Sequence, residues 1–155
     1  MAKEDAAAPD PLSKPKLGPS SSSLGVRTPA TSPNGNPDVV PDDKGMVRPD
    51  MVKGGMSVSR SMRDIPLMLL PKRLNGLGEG KAIIRQARGR NSGYVWRWGE
   101  GPFEDAPLTE ALRLRLDWRR EGHAFVEPAL EMPLRQYEEA LESTQDRWVI
   151  DETLS

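Results

Sequence analysis

Ser57, His123 and Glu127 are the residues whose types and surroundings could do chemistry. His123 is the only histidine of the chain, and Glu127 follows it four residues later in the run His123–Ala124–Phe125–Val126–Glu127. Along a strand, His123, Phe125 and Glu127 point to one side, and Ala124 and Val126 to the other. Four steps of roughly 3.3 Å put the imidazole and the carboxylate about 13 Å apart. They cannot share a hydrogen bond, but they can contact two ends of one extended ligand. The plainer reading is a satisfied histidine at a strand start and a glutamate that caps or salt-bridges locally. Spacing alone favours that plainer reading.

Composition narrows the chemistry. The chain has 155 residues, a length that suggests one domain, and a net charge of −1, which points to neither nucleic acid nor membrane. With no cysteine, disulfides and thiolate metal sites are excluded, and one histidine argues against an imidazole metal site, so no metal ligands are assigned. No apolar run approaches the roughly 18 residues of a membrane span. The first residues, MAKEDAAAPDPLSK, lack the apolar core of a secretory signal. The expected location is cytoplasmic, with any export into a target cell following a route that needs no cleaved signal.

The elements that would position these residues lie in the C-terminal part. The first 45 residues hold eight of the fifteen prolines, six serines and no aromatic residue. Residues 1–36 therefore read as a disordered Pro/Ser-rich arm, because they offer too little apolar surface to offset chain entropy. All eight aromatic residues lie between Tyr94 and Trp148, so residues 37–151 are expected to form the folded domain. The pattern is α+β. Residues 38–40 and 46–48 flank the turn PDDKG as in a hairpin. MSVS (56–59), YVWRW (94–98), LRLRLDW (112–118), HAFVE (123–127) and RWVI (147–150) read as strands, with Arg113, Arg115 and Asp117 facing outward from their strand. Pro66 and Pro71 limit residues 64–74 to a short turn or irregular segment. The one good helix runs over 133–144, with Pro133 at its first position and Leu134, Tyr137, Leu141 and Thr144 on one face. GLGEGK (76–81) suggests a phosphate loop, but no strand precedes it and the spacing is wrong, so it reads as a loop.

Several segments, in order and spacing, resemble the ADP-ribosyltransferase-like toxins of type VI secretion (the "type six exported, two" family, with fungal relatives). The similarity starts at Pro37–Asp38–Val39–Val40 and the turn to Gly45, and continues through Gly54–Gly55–Met56–Ser57–Val58, close to the family's Gly-Gly-x-Ser-Val signature. It takes in Pro66 to Leu70–Pro71, Val95–Trp96 and the strand ending at Asp117. It closes on Gly122–His123, Glu127–Pro128–Ala129, Met132, Leu134, Tyr137, Ala140–Leu141, Thr144 and Trp148. The resemblance implies a fold like the ADP-ribosylating toxins and an NAD-dependent cytotoxic effector acting on an intracellular target, paired with an immunity protein. NAD would be substrate. Its cleavage develops oxocarbenium character on the ribose, which a facing carboxylate stabilises. On this resemblance Ser57, His123 and Glu127 are the catalytic candidates, and Gly54, Gly55, Met56, Ser57 and His123 the NAD-binding ones. Asp117 is a substitute carboxylate. The family's opening strand, with its Tyr-Arg or Phe-Arg pair, has no counterpart before Pro37, where the only arginine is Arg27. Its absence predicts an exposed sheet edge, and leaves open a divergent, inactive or truncated homologue, or an arm that itself supplies the strand.

A second class remains. Residues 81–98 carry Lys81, Arg85, Arg88, Arg90 and Arg97 with no acid, followed by Tyr94, Trp96 and Trp98. Basic charge with stacking aromatics is how single-stranded nucleic acid is held. A solvated loop leading into a core strand fits the same residues and is favoured.

Overall fold

Leu112, Leu114 and Leu116 alternate with Arg113 and Arg115, and in the computed structural model they form a strand paired to the His123 strand. That structure describes residues 2–6, 14–19, 24–33, 35–61, 64–65, 94–98 and 102–150. Among the described residues the strands in chain order are β1 (Ala2–Ala6), β2 (Met46–Val47), β3 (Met56–Ser59), β4 (Tyr94–Trp98), β5 (Ala106–Pro107), β6 (Leu112–Leu116), β7 (His123–Pro128), β8 (Met132–Pro133) and β9 (Trp148–Ile150), with one α-helix, α1 (Leu134–Glu142), and a 3-10 turn (Gln145–Arg147) before β9. Among the described residues, seven strands make one sheet in the order β5-β6-β7-β3-β1-β4-β9, and β2 pairs with β8 in a second. This is a mixed α+β arrangement, as the sequence pattern indicates.

The register fixes the two faces of the sheet. Val126 lies opposite both Met56 and Leu114, and Ala124 opposite Val58 and Leu116. Met56, Val58, Leu112, Leu114, Ala124 and Val126 are buried and form one core with Trp96, Tyr137 and Leu141. The helix packs into this core through Tyr137 and Leu141, both fully buried. The Tyr137 hydroxyl donates to the Val126 carbonyl and accepts from the Met56 amide at 3.1 Å, which fastens the helix to β3 and β7. Burial pushes the Tyr137 phenol far up, so it stays protonated. The helix starts at Leu134, whose amide bonds the Gly45 carbonyl at 3.0 Å, so Pro133 stands just before the first helical residue rather than at it.

Three expectations change. The Asp42–Gly45 turn forms, with Asp42 Oδ1 accepting the Lys44 and Met46 amides, yet it does not make a hairpin. Met46–Val47 pairs with Met132–Pro133, and Val39 bridges Gly54. The arm is not wholly without structure: Leu24 and Val26 are buried in the core, Arg27 pairs with Asp38 at 3.1 Å, and the Pro15 carbonyl accepts from Gln145. The packed body thus begins before residue 37. The expected open edge is filled as well. Residues 2–6 lie between β3 and β4, with Lys3 registered opposite both Val58 and Trp96. Residues 66–93, which include the Gly-rich and most of the basic segment, lie outside the described residues.

Candidate functional site

The face of the sheet opposite the core carries the polar residues. Ser57 and Arg115 both lie opposite Phe125, Ser59 lies opposite His123, and Arg113 opposite Glu127. Phe125 is the middle of this layer. The Arg115 guanidinium sits 5.0 Å from its ring centroid, and the His123 ring meets it edge-on at 5.0 Å.

His123 Nδ1 lies 2.9 Å from Asp117 Oδ2, across the turn that joins β6 to β7. That turn is closed by the Asp117 amide on the His123 carbonyl at 3.0 Å and by the Arg119 amide on Asp117 Oδ1 at 2.9 Å. Burial opposes the charge on Asp117, but the Arg119 N–H and the His123 ring outweigh it and hold the carboxyl below its ordinary range. An ionised carboxylate on Nδ1 orients the imidazole and leaves Nε2 as the nitrogen for a ligand or a proton.

Glu127 has a different environment from the one expected of it. It is 0% exposed. Its Oε2 accepts from Arg113 Nε at 2.5 Å, and its Oε1 accepts from Arg115 Nε at 2.7 Å and from the Asp50 amide at 3.0 Å. Arg113 also reaches Asp50 Oδ1 at 2.9 Å, and Arg115 bonds the Met51 carbonyl at 2.8 Å. Asp50 adopts a positive φ of 65°, a conformation that non-glycine residues rarely take and one that turns its amide onto the carboxylate. Glu127 is therefore the enclosed centre of an ion-pair cluster that ties β6, β7 and residues 50–51 together. It does not face an open cleft, and the local salt-bridge reading is the one that matches. The side chains of Arg113 and Arg115 point to the face the alternation assigns them, but residues 50–54 cover that face. The sequence offers no register to pair them with Glu127, so this cluster was not visible from spacing.

The glycine pair serves protein contacts. A Cβ on Gly54 would fall 2.5 Å from Arg115 Nη2 and 2.8 Å from Phe125 Cγ. Gly55, at φ +124°, would place one 2.3 Å from the Tyr137 hydroxyl and 2.6 Å from the Val126 carbonyl. Close approach is required at both positions, but by this chain's own side chains and backbone. Met56 is buried on the core face, away from Ser57, so it is not positioned beside the polar layer. Ser57 is half-buried beside Phe125, and its hydroxyl has no hydrogen-bond partner among the described residues. The structure thus brings Ser57, on β3 across from Phe125, and His123, two residues along β7, next to the Phe125 ring, keeps Glu127 in a separate enclosed cluster, and turns Met56 to the opposite face.

A cavity of about 130 Å³ opens next to this layer, lined by residues 50–52 and 117–119 with Arg115 and Phe125. Asp117 joins it to His123. Trp118, which the sequence reading passed over, is 83% exposed at this cavity. A tryptophan following a strand that alternates leucine with arginine was the available signal. Among the described residues, no group of acidic or histidine side chains could hold a metal ion, and no helix is long and apolar enough to cross a membrane. No family model, curated protein or solved structure matches this chain.

Proposed function

We propose that the chain is an NAD-consuming cytotoxic effector of the ADP-ribosyltransferase type, with NAD bound on the polar face of the sheet. The observation that carries this reading is the gathering of Ser57, Arg115 and the Asp117–His123 pair around Phe125, beside an open cavity. In such a reaction the bond between the ribose C1′ and the nicotinamide nitrogen breaks, and its electron pair leaves with nicotinamide. The cationic sugar is captured by a nucleophile of the target, which loses a proton. The site would need a carboxylate near the sugar, a hydroxyl for the ribose and cations for the pyrophosphate. Glu127 is enclosed, so the carboxylate role passes to Asp117, which lines the cavity and stays ionised at neutral pH. His123, held through Nδ1, would bind ligand through Nε2. Ser57 would hold a ribose hydroxyl. Arg115 would face the pyrophosphate while Glu127 holds it in place. A cognate immunity protein would shield the producing cell.

Tightly controlled expression in bacterial cells, with growth and NAD level followed, tests the reading. Growth arrest with falling NAD is expected, lost in Asp117→Asn, His123→Ala and Ser57→Ala variants that remain folded. Undisturbed growth and NAD in cells that accumulate soluble wild-type protein would refute it. The nucleic-acid reading is the weaker one: Trp96 and Trp98 are buried at 1% and 8% exposure, so neither offers a free face for a base.

A further inference from the structure

Trp118 is the unusual residue of the cavity. Large aromatic side chains are normally well buried, and the other three tryptophans, Trp96, Trp98 and Trp148, all are. Trp118 keeps 83% of its surface in water although the cavity floored by Phe125 lies beside it. The size of the cavity limits what can enter. At about 130 Å³ it is well under the roughly 300–1,000 Å³ of sites that enclose whole drug-sized ligands, so it accepts one ring and leaves the rest of a ligand outside.

The charges around it are unequally occupied. Asp50 is taken by Arg113 at 2.9 Å, Asp117 by His123 at 2.9 Å, and Arg115 by Glu127 at 2.7 Å. Arg119 makes no salt bridge among the described residues; its charge acts on the neighbouring Asp117, and its guanidinium lies 5.2 Å from the Trp118 ring centroid. An exposed indole, a ring-sized cavity and a guanidinium outside any salt bridge therefore stand together. That combination suits a flat heterocycle carrying a phosphate: the ring stacks on indole, and the phosphate takes the fork of the arginine.

We infer that this cavity is a nucleotide subsite, in which Trp118 stacks an adenine ring and Arg119 binds the phosphate attached to its ribose. The inference deepens the NAD reading and rests on it for the choice of adenine; it assigns the adenosine diphosphate half of NAD to Trp118 and Arg119 and leaves Asp117, on the His123 side, to the reacting ribose. The nicotinamide end then extends along the sheet face toward His123 and Ser57.

Because Trp118 is the exposed tryptophan, its red-shifted emission reports directly on stacking. Titrating the full chain with ADP should quench that component saturably, with adenosine several-fold weaker because it lacks the phosphate. Arg119→Ala should erase the advantage of ADP over adenosine. By calorimetry Trp118→Ala should weaken ADP about tenfold, within the range of base stacking, while Trp118→Phe retains most of the affinity. Rising salt should weaken ADP more than adenosine. Quenching by ADP no greater than that of N-acetyltryptophanamide, or unchanged ADP affinity in Trp118→Ala, overturns the subsite. The two readings fail separately. ADP binding with no release of nicotinamide from NAD sinks the NAD reading alone, and nicotinamide release with no ADP binding sinks the subsite alone.

Discussion

Replacing Glu127 by glutamine probes the ion-pair cluster most directly, because the change keeps shape and removes charge. The two carboxylate oxygens serve different donors: Arg113 Nε meets Oε2, while Arg115 Nε and the Asp50 amide meet Oε1. Glutamine has one acceptor oxygen and one NH2 donor. Whichever way its amide turns, one side presents N–H to N–H. At least one charge-assisted hydrogen bond, worth about 1.5–3 kcal/mol, is lost outright, and whichever of the three remain weaken to bonds to a neutral acceptor. Arg113 is 37% exposed and can turn partly to water, whereas Arg115, at 17%, is left more nearly stranded. The discount on the first arginine brings the expected loss to about 2–4 kcal/mol, near the lower end of what breaking a buried pair costs. Urea unfolding should show a lower midpoint at unchanged slope, since the native surface is unaltered. The Asp50 amide should lose protection in hydrogen exchange. In a double-mutant cycle with Arg113→Gln, the two losses should fall short of additivity by about 0.5–3 kcal/mol. A midpoint shift equivalent to less than about 0.5 kcal/mol, the usual range for surface changes, would refute the account of Glu127 as an enclosed hub.

Gly55→Ala should destabilise by at least about 2 kcal/mol, because its Cβ meets the Tyr137 hydroxyl and the Val126 carbonyl at a positive φ; thermal unfolding reads this, and a neutral result would remove the steric assignment. Leu141→Ala should cost about 2–5 kcal/mol in urea unfolding, as for other fully buried leucines, and a loss below about 1 kcal/mol would mean that the helix is not anchored there. Asp117 has its folded pKa below the unfolded value, so the stability it contributes is present above about pH 4 and disappears as pH falls through the lowered folded pKa. Wild type should therefore lose more stability than Asp117→Asn on going from pH 5 to pH 2, and parallel curves would contradict the Asp117–His123 pairing. Lys3→Val should stabilise by about 1 kcal/mol, the span of strand preferences, raising Tm by about 2–4 °C if residues 2–6 occupy the register opposite Val58 and Trp96. An unchanged or lower Tm would place the N-terminus elsewhere.

What could be read from the sequence follows from which signals are local. Strands β3, β4, β6, β7 and β9 and the helix carry their own periodicity, so MSVS, YVWRW, LRLRL, HAFVE, WVI and the Tyr137–Leu141 face were legible without any partner. Strand β1 was not. Ala2–Lys3–Glu4–Asp5–Ala6 contains no β-branched or aromatic residue, and its extended form follows from lying between β3 and β4, whose edges supply the hydrogen bonds. The hairpin expected around Asp42–Gly45 failed for the same reason. The turn residues act locally and do form the turn, but the partner of Met46–Val47 lies at Met132–Pro133, a contact that turn chemistry cannot encode.

The same division explains the site. Strand periodicity correctly put His123, Phe125 and Glu127 on one face, and the roughly 13 Å between its ends correctly denied them a shared hydrogen bond. It could not say what covers each end. The Glu127 end is closed by Asp50 and two arginines, while at the Phe125 position the layer opens into the cavity beside Trp118. A carboxylate holding two arginines and a backbone amide at full burial has no free side for a cationic sugar, whereas a carboxylate held by one imidazole and one backbone amide at the mouth of a cavity still has lone pairs to offer. Electrostatic catalysis requires the charge to face the reacting carbon. On this geometry Glu127 holds Arg115 and residues 50–51 in place, and on the proposed NAD reading Asp117 is the acid left to face a ligand at the open end.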